Sequence, residues 1–196
     1  MKKLTFNRTI IFAACISFIA LSASDAGAIN TQIQTDSTLS GITALNVDAP
    51  GVGQVVTLSE IHGKTAGNNL FYSFSDFNIG ETDTAWFNLS TPDLDNVISR
   101  VTGGSVSSIE GTLQMTNVGS EPGFFLINPA GITFSSGASV DVPGAFYTST
   151  ASTLNLEDGS EYSAHEAGIS TLSAANPESF GFLGNESGEI NIGSSD

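Results

Sequence analysis

The sequence predicts an all-β chain wound as a parallel β-helix, a single-stranded solenoid with a cap at its N-terminal end. Three observations carry this expectation. Helical periodicity is scarce along the 196 residues, and short β-prone runs recur instead, bounded by Gly, Asn, Asp, Pro and Ser. From Phe124 to Ala145 the chain passes three strands and three corners, a span within the ~20–45 residues of one solenoid repeat. The corners there read as types I and II rather than as the Asn-Gly or Asp-Gly turns of tight hairpins. Many short strands also suit a sandwich or barrel, but corners that progress one way favour the coil.

Residues 1–28 stand apart from the fold. Lys2, Lys3 and Arg8 precede the apolar run Ile10 to Leu21, and Ala26-Gly27-Ala28 offers small residues for cleavage after Ala28, with Ser24 or Ala26 as alternatives. The run is too short for a good membrane span. We therefore expect a secretory signal peptide (1–28) and one exported domain (29–196) that spans no membrane. Cys15 lies inside the apolar run, which continues past it, so a lipoprotein signal is disfavoured. No other cysteine follows, and stability must come from burial and backbone hydrogen bonding rather than disulfides.

In chain order, "QVVTLSEIHG", "NLFYSFSDFNI", "TAWFNL", "NVISRVTGG" and "SIEGTLQM" supply β-prone runs in the first half. "FFLI", "GITF", "ASVDV" and "AFYTSTA" follow one another with few residues between, and "STLNLE" and "GEINI" come later. Asn128-Pro129-Ala130-Gly131 has Asn first, Pro second and Gly fourth, the preferences of a type I turn: proline pre-sets φ, asparagine bonds the turn backbone, glycine relieves the exit. Ser135-Ser136-Gly137 and Val142-Pro143-Gly144 make the next corners, with Gly144 expected at the positive-φ site of a type II turn. Inward positions are expected at Ile132, Phe134, Ala138, Val140, Val142 and Phe146. A solenoid must cover its terminal edges, and the irregular first half, including "NLFYSFSDFNIG" and "TAWFNLS", is expected to do so. "GEINIGSSD" reads as a further strand beginning with no cap after it, as at the start of a longer solenoid or in a truncated relative of one.

Loss of residues 1–28 leaves 2 basic residues, Lys64 and Arg100, against 19 acidic ones, a formal net charge of −17. Nucleic acid and anionic lipid both need a cationic footprint, so neither is an expected partner. Most of the acids read as a solvated face. No Gly-x-Ser-x-Gly elbow or phosphate loop is present. His165-Glu166 starts like a zincin, but Ile169 stands where a second histidine is needed, and His62 and His165 are the only histidines. Asp93 and Asp95 are too loop-like for a glycosidase pair, two bases are too few for a polysaccharide lyase, and "LEDGSEYS" lacks the calcium repeat. We expect no enzyme, no cofactor and no metal. Arg100, between apolar neighbours, reads as a structural tie between strands, and Trp86 as core or cap packing.

These same residues carry a resemblance. "AGNNLFYSFSDFNI", "NVISRVTGG", "SSIEGTL", "FFLINPAGITFSSGASVDV" and "NPESFGFLG" closely match, in order and spacing, the secretion domain of filamentous haemagglutinin-like exoproteins, the haemagglutination-activity domain of two-partner secretion. The likeness runs from Ile33 to Gly184. It implies a right-handed parallel β-helix with an N-terminal cap, and a monomer that is not an enzyme but an address. The address is recognised in the periplasm by the periplasmic domains of a partner outer-membrane β-barrel transporter. An adhesin-like exoprotein then threads outward and folds at the surface of a Gram-negative-type bacterium. The family's recognition positions match Asn128, Pro129, Gly131 and Ile132; Ala130 departs from the asparagine common there. The alternative is a self-sufficient β-helical adhesin or carbohydrate-binding protein.

Overall fold

In the computed structural model, which describes residues 29–165, 168, 170–183 and 187–193, the chain coils through three sheets. The signal peptide, its cleavage site and Cys15 lie outside the described residues, as do Glu166, Ile169 and Gly184. An antiparallel pair opens the fold, β1 (Thr31–Thr35) and β2 (Asn46–Ala49). The coil begins at β3 (Val55–Leu58), and a 3-10 turn (Glu60–His62) and β4 (Lys64–Ala66) lead into the long β5 (Asn69–Asn78). The path then repeats through β6 (Thr84–Asn88), β7 (Asn96–Val101), β8 (Ser107–Ile109), β9 (Thr112–Thr116), β10 (Gly123–Ile127), β11 (Ile132–Phe134), β12 (Ser139–Asp141) and β13 (Phe146–Ser149). After an antiparallel sheet of β14 (Thr153–Leu156), β15 (Glu161–Ser163) and β16 (Pro177–Gly181), β17 (Ile190–Ile192) rejoins the coil.

The parallel β-helix is thus present, in about three turns. Its first face stacks β5, β7, β10 and β13, its second β3, β6, β9 and β12, and its third β8, β11 and β17. Asn69 pairs with Asn96 and Asn96 with Gly123, two successive steps of 27 residues. Register therefore stacks like on like inside the coil: Leu70, Val97, Phe124 and Phe146 form one inward ladder. Burial of such a ladder is worth about 1.5–3 kcal/mol per large side chain.

Three expectations are corrected at the ends and corners. "NLFYSFSDFN" and "TAWFN" do not cover the coil; they are β5 and β6, its first full turn. β5 is buried on both faces over most of its length, which suits an interior strand and not a lid. The cover is the earlier pair β1–β2, with β1 antiparallel to β5 and Ile33 fully buried beneath it. A bulge opposite Gln34 and Thr35 lets Phe77 join Phe74 in the core despite their odd spacing.

Gly144 does not adopt a positive φ. A Cβ there would lie 2.5 Å from the carbonyl oxygen of Pro122 on the preceding turn, so glycine is needed for close approach instead. Of the expected inward positions, Ile132 and Phe134 are buried, and Ala138, Val142 and Phe146 pack partly buried on the core. Val140 aligns over buried Leu113 yet is 38% exposed, because among the described residues no strand follows β12 on that face.

The largest unexpected feature is the β14–β16 sheet. "STLNLE" forms a strand, but an antiparallel one outside the coil, packed on the outer side of the first face. Phe71, Ile98, Phe125 and Ile127 point away from the coil and meet Leu154, Leu156, Tyr162 and Ala164. That second core explains why "FFLI" is apolar without alternation: β10 is buried on both sides. Trp86 is not in either core; it lies half-buried on the outer side of the second face, its Nε1 donating to Thr116 Oγ1 at 2.9 Å. No helix among the described residues is long and apolar enough to cross a membrane.

Candidate functional site

The corner Asn128–Gly131 joins β10 to β11, and every polar group at its start is spent on the fold. The turn closes with Gly131 N–H donating to the Asn128 carbonyl at 3.1 Å, and Gly131 adopts φ +125°, a conformation that glycine allows. Asn128 is fully buried. Its Oδ1 accepts from Ala130 N–H at 3.0 Å, and its Nδ2 donates to the Ser105 carbonyl and to Ser107 Oγ, both at 2.9 Å. The side chain therefore shapes its own corner and ties it to the corner one turn earlier. On the other side, Gly188 N–H donates to the Pro129 carbonyl at 2.7 Å and Ile132 N–H to the Glu189 carbonyl at 3.0 Å.

All four expected recognition residues thus meet in one stacked corner, in different roles. Gly131 and Ile132 are buried, and Ile132 is paired between Ser107 and Ile190. Pro129 and Ala130 remain half-buried and form the accessible part. Beside them is a cavity of ≈ 130 Å³ lined by Thr102, Gly104, Pro129, Ala130 and His165, among others. The departure at Ala130 leaves the turn intact, since only its backbone N–H is bonded to Asn128.

The match that decides the family covers nearly all of the exported chain: the family model of the TPS secretion domain fits residues 31–196. The chain belongs to the TPS secretion domain family. It is therefore part of an exoprotein of two-partner secretion, a route through the periplasm of a Gram-negative bacterium that uses a dedicated partner transporter. No curated protein and no solved structure gives a significant match to the chain.

In this TPS domain the groups weighed for catalysis sit apart. His62 accepts at Nδ1 from the Ser59 N–H, and burial holds it below the ordinary histidine range. His165 borders the corner cavity. Asp95 accepts at 3.0 Å from Asn68, in the corner one turn earlier, and Asp93 holds the turn before it at φ 62°. No group of three metal-ligating side chains occurs among the described residues.

Three acids stand apart from the solvated face expected of most and lock backbone. Asp83, 1% exposed, accepts from the N–H groups of Gly53 and Gln54 at 2.8 and 2.9 Å and from Thr31 Oγ1, joining the cap to the coil. Burial works to raise its carboxyl, but those hydrogen bonds outweigh it and hold the group below the usual carboxylate range. Asp36 is likewise held low: burial opposes, and bonds from Ser73, Thr38 and Thr102 prevail. Glu60 caps Ser90 and Thr91 in the same way, its bonds to their N–H groups overcoming burial.

Arg100 is the fully buried cation that the sequence singles out, and it ties more than two strands. Its Nε donates to Ser73 Oγ at 2.7 Å, Nη2 to Thr38 Oγ1 at 2.8 Å, and Nη1 to the Ser163 carbonyl at 2.6 Å and to Ser170 Oγ. The guanidinium carbon lies 4.0 Å from the Tyr162 ring centroid. The Ser73 and Thr38 hydroxyls both donate hydrogen bonds to Asp36, so cation and carboxylate are bridged by two hydroxyls. Burial lowers the Arg100 pKa while Tyr162 and Asp36 oppose that shift, and a guanidinium stays charged throughout. The apolar flanks of Arg100 were the one signal of this hub in the sequence; nothing marked Asp36, Thr38 or Ser73 as its partners.

Proposed function

We propose that this TPS domain is the address and folding nucleus of its exoprotein, bound in the periplasm by the periplasmic domains of a partner outer-membrane β-barrel transporter. The observation that carries this reading is the family match across residues 31–196, joined to a coil sealed at its N-terminal end. The physics suits the task. Residues 29–196 contain no cysteine, so no disulfide blocks threading of an unfolded chain. A β-helix adds turns one at a time because each contacts only its neighbours, and that stepwise burial helps draw the chain outward. Within the address, Pro129 and Ala130 present the readable surface, while Asn128, Gly131 and Ile132 hold it in shape. The domain is a monomer without enzymatic activity, and the finished exoprotein is adhesin-like at the cell surface.

The test is binding of residues 29–196 to the immobilised periplasmic domains of the cognate transporter. Saturable binding, weakened by Ala130→Lys and kept by Ala130→Asn with unchanged melting temperatures, is the expected result. Absence of binding by the unsubstituted domain, in folded and in unfolded form, would sink the reading. The second reading, a self-sufficient carbohydrate-binding adhesin, has one observation in its favour: Trp86 lies on an outer face rather than in the core. A glycan array answered by the domain and silenced by Trp86→Ala would favour it.

A further inference from the structure

The two apolar cores of this domain do not share residues. The coil's core draws on residues from Ile33 to Phe146 and on nothing from β14–β16. The outer core lies between the first face of the coil and the β14–β16 sheet. This sheet is an insertion in the coil's path. Ser107 pairs with Ile132 after 25 residues, whereas Ile132 pairs with Ile190 after 58, so about 33 residues leave the coil and return. A coil with its own core keeps its shape when such an insertion lifts away.

Beside that outer core, a set of polar bonds fastens the insertion to the coil. Arg100 binds the Ser163 carbonyl and Ser170 Oγ, Tyr162 Oη donates to the Tyr72 carbonyl at 2.9 Å, and Asn69 Nδ2 donates to the carbonyls of Ser173 and Ala175. Beneath it Phe71, Ile98 and Phe125 lie in register across β5, β7 and β10. With Ile127 they form a continuous apolar strip on the coil.

We propose that the β14–β16 sheet is a latch: it opens as a unit while the coil stays folded, and it masks an apolar strip on the first face that is accessible only in the open state. Arg100 is its catch, because among the described residues it alone bonds to the cap loop at Thr38, the coil at Ser73 and the latch at Ser163 and Ser170 together. The latch is a property of the folded domain and does not depend on the transporter reading.

Native-state hydrogen exchange on the whole domain tests this. In the unsubstituted protein, amides of β14–β16 should exchange together, through an opening more frequent than that of β7 and β9. Arg100→Gln loses charged hydrogen bonds, each worth ~1.5–3 kcal/mol, so protection across β14–β16 should fall about tenfold to a hundredfold. Protection of β9 and β6, which do not touch the latch, should stay nearly unchanged, and an apolar dye should bind the variant. If Arg100→Gln fails to fold, Tyr162→Phe, which removes the hydroxyl bonded to the Tyr72 carbonyl, should give the same pattern in weaker form. Equal loss of protection across latch and coil, or exchange of β14–β16 only by global unfolding, would overturn the proposal.

Discussion

At the scale of single residues, buried polar atoms divide into those that are satisfied and those that are not. Asn128 is the strongest of the satisfied kind. Asn128→Ala strands the Ala130 N–H, the Ser105 carbonyl and Ser107 Oγ, and should cost about 1–3 kcal/mol. Thermal unfolding of the purified domain measures this; an unchanged midpoint together with lost export would assign Asn128 a direct recognition role instead. Tyr72 is the opposite case. Its ring is fully buried against Phe74 and Phe87, and its hydroxyl has no hydrogen-bond partner among the described residues. Tyr72→Phe should therefore leave stability unchanged or raise it by up to about 1 kcal/mol, since no bond is lost and a buried polar group is removed. Denaturant unfolding decides the matter, and a loss above that size would show that the hydroxyl is bonded. The Asn-Pro-x-Gly spacing announced the turn at Asn128 directly. The inward partners of its side chain were not legible, because Ser105 and Ser107 lie one coil turn away and only register brings them there.

At the scale of elements, the coil was legible because each turn repeats its corner chemistry, and the latch was not. Strand, corner and strand follow within a few residues from β10 to β13, and their spacing alone indicates stacking. β14 has its partners at β15 and, farther on, at β16, and antiparallel pairing leaves no repeat to find. One signal was present: Asp158-Gly159 between two β-prone runs is a hairpin turn, and Gly159 takes φ 82° there. Gly144 shows the converse, a glycine whose identity was read rightly as necessary but for the wrong reason. The turn type does not need it, whereas the Pro122 carbonyl 2.5 Å from its missing Cβ does. Gly144→Ala should push the corner before β13 off the preceding turn and destabilise the domain by about 1–3 kcal/mol, as overpacking does. A thermal midpoint equal to that of the unsubstituted domain would mean that the corner shifts without strain.

At the scale of the whole molecule, two electrostatic effects oppose each other as pH falls. The first is repulsion: a net charge of −17 on residues 29–196 works against the compact state. Protonating exposed acids on the way down from pH 7 relieves it, and salt at pH 7 relieves it by screening. The second is the set of buried carboxylates, Asp36 and Asp83, whose folded pKa values lie below the reference value of 3.8. A group depressed on folding stabilises fully above its unfolded pKa, and that contribution is lost as pH falls toward and through the folded value. Stability should therefore rise from pH 7 to about pH 5 and fall steeply below about pH 4. Because Asp83 fastens the cap at Gly53, Gln54 and Thr31, the acid limb should begin with loosening of β1–β2 from the coil. Asp83→Asn keeps the shape but no longer titrates, so it should lower stability at pH 6 and flatten the acid limb. Melting curves from pH 3 to pH 8 at low and high salt test both effects. Stability falling steadily from pH 7 downward in the unsubstituted domain would show that repulsion is negligible. An acid limb equally steep in Asp83→Asn would place the titrating group elsewhere.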